Sequence, residues 1–253
     1  MGASRTNRGS GACCGGGRGF TLVDLLVSIA VVAVLIGLLL PSLRLVHETS
    51  KRVVCQSNLR QVGLGMHMYA TDNDSWLPPS AFALGFGPQW ESNPMFLRID
   101  GRTRGYDLPL WDGMGYLFAQ TYLTDGRIFY CPSHTGAHPF EAYTDRFAGA
   151  PGEIQANYQY RGIGPNGEAR LDMFDDTVAL ISDGFAEVDD INHRLGMNIL
   201  RAGMSVDWFL DRGNVIEDIA LSVQDDDTPS WEDGWRILDQ PVQNGGFWDT
   251  LFP

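Results

Sequence analysis

From Phe20 to Leu40 the chain holds 21 residues in which Asp24 is the only charge. At 1.5 Å per helical residue this run spans about 32 Å, the thickness of a bilayer's hydrocarbon core, and it predicts a membrane-spanning helix. Beyond Pro41 the apolar spacing changes. Cys55, Leu59, Val62, Met66 and Tyr69 recur at intervals of four, three, four and three, which puts them on one helical face, while Lys51, Arg52, Asn58 and Arg60 take the others. Pro41 lacks a backbone donor and should bend the helix without ending it. Asp72-Asn73-Asp74-Ser75, with Pro78-Pro79 beyond, should stop it. The pattern thus predicts one helix of about 50 residues, half in lipid and half packed on a head.

Four later segments have the β-branched, aromatic and alternating character of strands: 157–163, 177–184, 197–202 and 205–210. The last two, divided by Gly203-Met204, read as a hairpin. Residues 80–176 are rich in Gly, Pro and aromatics with little periodicity and read as loops with short helices, one of them at 113–123. The tail, with Trp231, Trp235, Phe247, Trp248 and Phe252, is too aromatic for a solvated linker and is expected to wrap the sheet. A long helix over an antiparallel sheet gives an α+β fold class. The organisation expected is a leader at 1–19, a transmembrane helix at 20–40, its amphipathic continuation at 41–71 and a head at 72–253.

Composition sharpens this picture. The formal net charge is −13, yet the first 18 residues hold Arg5, Arg8 and Arg18 and no acid, so the head is strongly acidic. That argues against nucleic acid or anionic lipid as its partner. The leader is polar, basic and Gly-rich, as a cytoplasmic tail would be. Met1-Gly2 with Thr6 fits a short myristoylation pattern, but a membrane span makes a lipid redundant. Cys13-Cys14 precede the apolar run, where a lipoprotein cysteine would follow it. Pro41-Ser42-Leu43-Arg44 offers no small-residue cleavage site behind the span.

Gly19-Phe20-Thr21-Leu22-Val23-Asp24-Leu25-Leu26-Val27 resembles the cleavage and methylation motif of type IV pilins and type II secretion pseudopilins, usually Gly-Phe-Thr-Leu-Ile/Val-Glu-Leu-Leu-Val. The resemblance implies that a prepilin peptidase cuts between Gly19 and Phe20 and methylates the new N-terminus. Pro41 becomes the twenty-second mature residue, where pilin-like helices commonly carry proline. Asp24 stands for the usual Glu, one methylene shorter, and is the residue implied in assembly. The other reading of Asp24 is a carboxylate snorkelling at a helix N-terminus, where the dipole favours negative charge. A second segment, His193 to Trp208 within the region 177–210, is similar to the H-x9-DG domain of a pseudopilin-like subgroup, with Gly203-Met204 where Asp-Gly is expected.

These resemblances imply a single-pass inner-membrane protein with its head in the periplasm, a structural pilin-like subunit of a type II secretion or type IV pilus-related filament. Its partners would be the prepilin peptidase, other pilin-like subunits, an inner-membrane assembly platform and the membrane through one helix, with no nucleic acid. Arg44, Lys51, Arg52 and Arg60 follow the span, so flanking charge alone does not orient it; the resemblance does. The alternative is a non-polymerising, membrane-anchored periplasmic binding protein recognising a glycan or protein.

On the periplasmic side an oxidising compartment permits a Cys55–Cys131 disulfide, against two separate buried thiols. Cys131-x2-His134-x3-His138 also has ligand-like spacing for a transition metal, with Cys55 or His193 as a fourth ligand, although such histidines are more often plain surface residues. Asp225-Asp226-Asp227 offers oxygen ligands for calcium but lacks the Gly turn and bidentate Glu of an EF-hand; Asp189-Asp190 is a lesser candidate. His193 can be drawn with Asp183 or Asp207 as an acid–base pair, but no nucleophile, zinc-protease or phosphate-loop motif accompanies it. The expectation is a protein with no resident cofactor or metal and no enzymatic activity.

Overall fold

The computed structural model describes residues 21–81, 95–99, 110–186, 188–193, 195–224 and 231–240. The first element, α1 (Leu22–Asp72), is a helix of 51 residues. Contacts divide the chain after Val46 into two compact units.

In the first unit α1 begins with a reciprocal cap. The Thr21 hydroxyl and N–H donate to Asp24 Oδ2 at 2.7 and 3.0 Å, and the Asp24 N–H returns a bond to Thr21 Oγ1 at 3.2 Å. This is a capping box with Asp in the usual Glu position. Leu22–Leu40 has mean hydropathy 2.9 and none of it is buried; among the described residues it is the one stretch long and apolar enough to cross a membrane. The helix runs on through Pro41.

In the second unit the sequence stripe is the packing face. Cys55, Leu59, Val62, Met66 and Tyr69 are all buried, against Leu97, Met114, Leu117, Phe129, Tyr158, Leu180 and Leu200. Gly63 permits the closest approach: a Cβ there would stand 2.8 Å from Leu200 Cδ1. The helix ends where the Asp-Asn-Asp-Ser run predicts, with Asp74 and Ser75 at φ 51° and 65° and the Ser75 N–H returning to Ala70 O at 2.8 Å. Left-handed residues let the chain turn back on the last carbonyls.

The main sheet is antiparallel, in the order β4 (Tyr158–Tyr160), β5 (Ala179–Asp183), β6 (Gly196–Arg201), β7 (Val206–Leu210). The first three strands are buried along their length. Alternation along β6 assigns its faces: Leu200 joins the core under α1, while Met197 and Ile199 join a second core with Ala179, Phe185, Ile216, Ile219, Trp235 and Leu238. That second core is closed by α4 (Val215–Gln224) and α5 (Trp231–Leu238). Thus Trp235 packs on the sheet as expected, edge-on to Phe185 at 5.8 Å, whereas Phe247, Trp248 and Phe252 lie outside the described residues.

The region 80–176 differs from its expectation. It holds a second antiparallel sheet, ordered β2 (Leu110–Trp111), β1 (Phe96–Ile99), β3 (Ile154–Gln155), and the helix expected at 113–123 is only α2 (Gly115–Ala119). These strands are too short to show a period of two. A buried Arg98 ties them to the short helix α3 (Thr144–Phe147) and the loop behind it, donating to Arg146 O, Ala150 O and Gly152 O at 3.1, 2.5 and 2.8 Å.

Candidate functional site

Where α1 crosses the main sheet, four stretches of chain bring titratable side chains together. Cys55 belongs to the buried stripe of α1, and Cys131 follows the single 3-10 turn at Gly126–Phe129. The two are joined as a disulfide, 76 positions apart in sequence. Asp183 ends β5, and His193 lies on the loop entering β6; both are almost fully enclosed.

His193 is held from two sides. Its Nδ1 lies 2.6 Å from Glu48 Oε1, and a carboxylate can only accept, so Nδ1 carries the hydrogen. Its Nε2 lies 3.5 Å from Cys131 Sγ and 3.9 Å from Asp183 Oδ2. Glu48 is itself fixed by the Ser133 hydroxyl, which sits 3.2 and 3.3 Å from its two oxygens. Trp208 meets the imidazole edge-on at 5.5 Å, and the Arg52 guanidinium stacks 4.4 Å above the Trp208 ring. Burial pushes Arg52 below its ordinary range, and the charge of Glu48 acts the other way.

Asp183 is the most enclosed acid of the group. Its Oδ2 accepts from the Asn198 N–H at 2.6 Å and the Asn198 amide at 3.0 Å, and Asn192 Nδ2 approaches Oδ1 at 3.5 Å. Burial raises its pKa above the ordinary carboxylate range; His193 and these donors pull it back. The asparagines are themselves pinned: Asn192 Nδ2 donates to Asn157 O at 2.8 Å, and the Asn157 amide donates to His138 O at 2.9 Å and accepts from the Cys131 N–H at 3.3 Å. Two surface recesses flank the cluster. One of about 740 Å³ includes Asn58, Arg127, Tyr130, Cys131, Phe140 and Asn157 in its wall; the other, about 510 Å³, includes His193, Asp189, Asp211 and Glu217.

A family model described as "Protein of unknown function (DUF1559)", SBP_bac_10, matches residues 46–184, more than half of the chain. The chain belongs to this family. No curated protein and no solved structure matches it. The DUF1559 match takes in Glu48, Cys55, Cys131 and Asp183 of the cluster and stops short of His193 and Asn198. It also begins after the segment 19–27 and ends before Gly203.

The DUF1559 head arranges the other residues singled out in sequence as follows. His134 turns Nδ1 to Asn192 Oδ1 at 3.0 Å and His138 turns Nδ1 to the Tyr143 hydroxyl at 2.7 Å, so the Cys131, His134, His138 spacing does not converge on one point. Asp207 pairs with Arg201 at 2.8 Å, so of the two aspartates drawn with His193 in sequence it is Asp183 that lies near the ring, on the side opposite Glu48. Asp190 is buried in the single turn Val188–Asp190. Gly203 and Met204 form the β6–β7 turn, with Met204 at φ 64° and the Gly203 N–H bonded to Asp176 O at 3.0 Å. A glycine at position 204, as the H-x9-DG pattern has it, would suit that φ. A Cβ at 203 would stand 2.9 Å from Asp176 Cβ, so Asp176 fills the space an aspartate at 203 needs. Gly19, Phe20 and Asp225-Asp226-Asp227 lie outside the described residues. Glu48, Ser133, Asn157, Asn192 and Asn198 were not anticipated. No local motif marks them, since each acts on partners 15 to 145 positions away.

Proposed function

We propose that this DUF1559 chain is a pilin-like precursor whose mature form is a non-catalytic structural subunit of a type II secretion or type IV pilus-related filament. The observation that carries the reading is the helix α1: a fully exposed apolar stretch, Leu22–Leu40, preceded by Gly19-Phe20 and carrying Asp24 in its first turn. An exposed stripe of that length needs lipid or other helices around it.

Cleavage after Gly19 turns the Phe20 nitrogen into a positive amine four positions before Asp24 in the sequence. The acid gains a cation only once the leader is removed. In a bundle the amine of one subunit then approaches Asp24 of its neighbour, where low dielectric strengthens the pairing. Filament growth is thereby coupled to processing, with the heads outside the helical core. The machinery required is a prepilin peptidase, an inner-membrane platform and an assembly ATPase.

The second reading, a membrane-anchored binding protein, is favoured by the recess of about 740 Å³, whose mixed aromatic and amide lining suits a glycan or peptide. Shearing cells that carry the assembly machinery separates the two. A subunit is recovered in the sheared filament fraction; a binding protein stays with the membrane pellet, and that outcome removes the filament assignment.

A further inference from the structure

Cys55, Cys131, His193 and Asp183 are all buried, and one ligand atom of each lies within 4.8 Å of the others. A tetrahedral zinc ion, about 2.3 Å from sulfur and about 2.0–2.2 Å from nitrogen or oxygen, needs ligand atoms about 3.3–3.8 Å apart. His193 Nε2 and Asp183 Oδ2, at 3.9 Å, are already close to that spacing. Opening the S–S bond lets the two sulfurs separate to the same distance. We propose that, when Cys55 and Cys131 are in the dithiol state, their two thiolates, His193 Nε2 and Asp183 Oδ2 bind one zinc ion, so that disulfide and zinc are alternative closures of the same joint between helix and sheet.

The surrounding bonds are those a metal-binding histidine requires. Glu48 takes the Nδ1 hydrogen and is steadied by Ser133, which leaves the Nε2 lone pair aimed at Cys131 Sγ and Asp183 Oδ2. A carboxylate on the far nitrogen of a ligating imidazole fixes tautomer and ring orientation and raises basicity. With that tautomer, a lone pair and a carboxylate oxygen lie 3.9 Å apart between two buried side chains, an arrangement that repels unless a cation or proton stands between them. The donor set chooses the ion: two thiolates, an imidazole and one carboxylate suit zinc, whereas calcium and magnesium require oxygen.

The exchange between the two closures balances. An external dithiol supplies two electrons and two protons, the Cys55–Cys131 S–S bond breaks, and the reductant leaves as a disulfide. Zinc then displaces the two thiol protons to solvent. In the other direction a disulfide oxidant takes two electrons from the thiolates, and zinc departs. A newly made chain begins in the dithiol state, the state to which zinc can bind. The inference is independent of the filament reading.

The test uses the full chain in detergent, with Cys13→Ser and Cys14→Ser so that Cys55 and Cys131 are the remaining thiols. Protein reduced with a phosphine is titrated with zinc and, separately, with cobalt(II). The expected result is one zinc per reduced chain, none per oxidised chain, and a tetrahedral cobalt spectrum with thiolate charge-transfer bands. Glu48→Gln should weaken zinc binding by about 10–100-fold, and His193→Ala, which removes a ligand, by more. Failure of the reduced chain to take up zinc, or uptake undiminished in both His193→Ala and Asp183→Ala, overturns the proposal. Should either variant unfold, the cobalt spectrum of the parent chain decides: an octahedral spectrum without thiolate bands overturns it equally.

Discussion

At the residue scale the cap that Asp24 makes and the assembly role proposed for it separate experimentally. Its carboxylate accepts from both the N–H and the hydroxyl of Thr21, so part of its reason for being there is to start the helix. Thr21→Ala removes the reciprocal cap and keeps the charge; such losses destabilise a helix by about 0.5–2 kcal/mol. Thr21→Ala should therefore still enter sheared filaments, while Asp24→Ala should be cleaved but excluded from them, and Asp24→Glu should be both cleaved and incorporated. Equal incorporation of Asp24→Ala and the unmodified chain would leave only the capping role. Position 203 offers a second residue-scale check. Gly203→Asp restores the H-x9-DG aspartate but drives a Cβ against Asp176 and sets two acids side by side. It should destabilise the head by about 1–3 kcal/mol in urea unfolding, and Asp176→Gly in the same chain should recover much of the loss. An unchanged midpoint for Gly203→Asp alone would show that the turn has room to spare.

Among the elements, the legible ones are those with a period long enough to count. The Cys55, Leu59, Val62, Met66, Tyr69 stripe runs for four turns, and all five side chains are buried. The β6–β7 hairpin was legible because five or six alternating residues flank a glycine turn. By contrast β2 and β3 are two residues each and are paired to β1 across long gaps in sequence, so no local pattern announces them. The same limit applies to the cluster: the Cys55–Cys131 pair and His193 carry a chemical signal in sequence, but Glu48 carries none, because its partner lies 145 positions away. The stripe yields a quantitative prediction. Leu59→Ala should cost about 2–5 kcal/mol because the site is fully enclosed, whereas Leu64→Ala, 62% exposed on the same helix, should change stability by no more than about 0.5 kcal/mol. Tryptophan fluorescence during urea unfolding reads both; equal effects would contradict the assignment of the packed face.

For the whole molecule, the chain joins an α+β head with a capped, apolar helix start and places a covalent tie between α1 and the segment that follows the turn Gly126–Phe129. The tie bears on stability of the head as a unit: closing about 75 residues corresponds to several kcal/mol in the chain-entropy model. Reduction without added zinc should therefore make the head more sensitive to protease, and unchanged cleavage would show that packing alone holds α1 in place. The account depends most on the first turn of α1 being the start of a mature protein. Its most direct test is the intact mass and N-terminal sequence of the chain recovered from membranes of cells that contain a prepilin peptidase. The account predicts loss of residues 1–19 and a methylated Phe20 as the first residue. A chain that keeps residues 1–19, or one cut behind the span after Pro41, would contradict it.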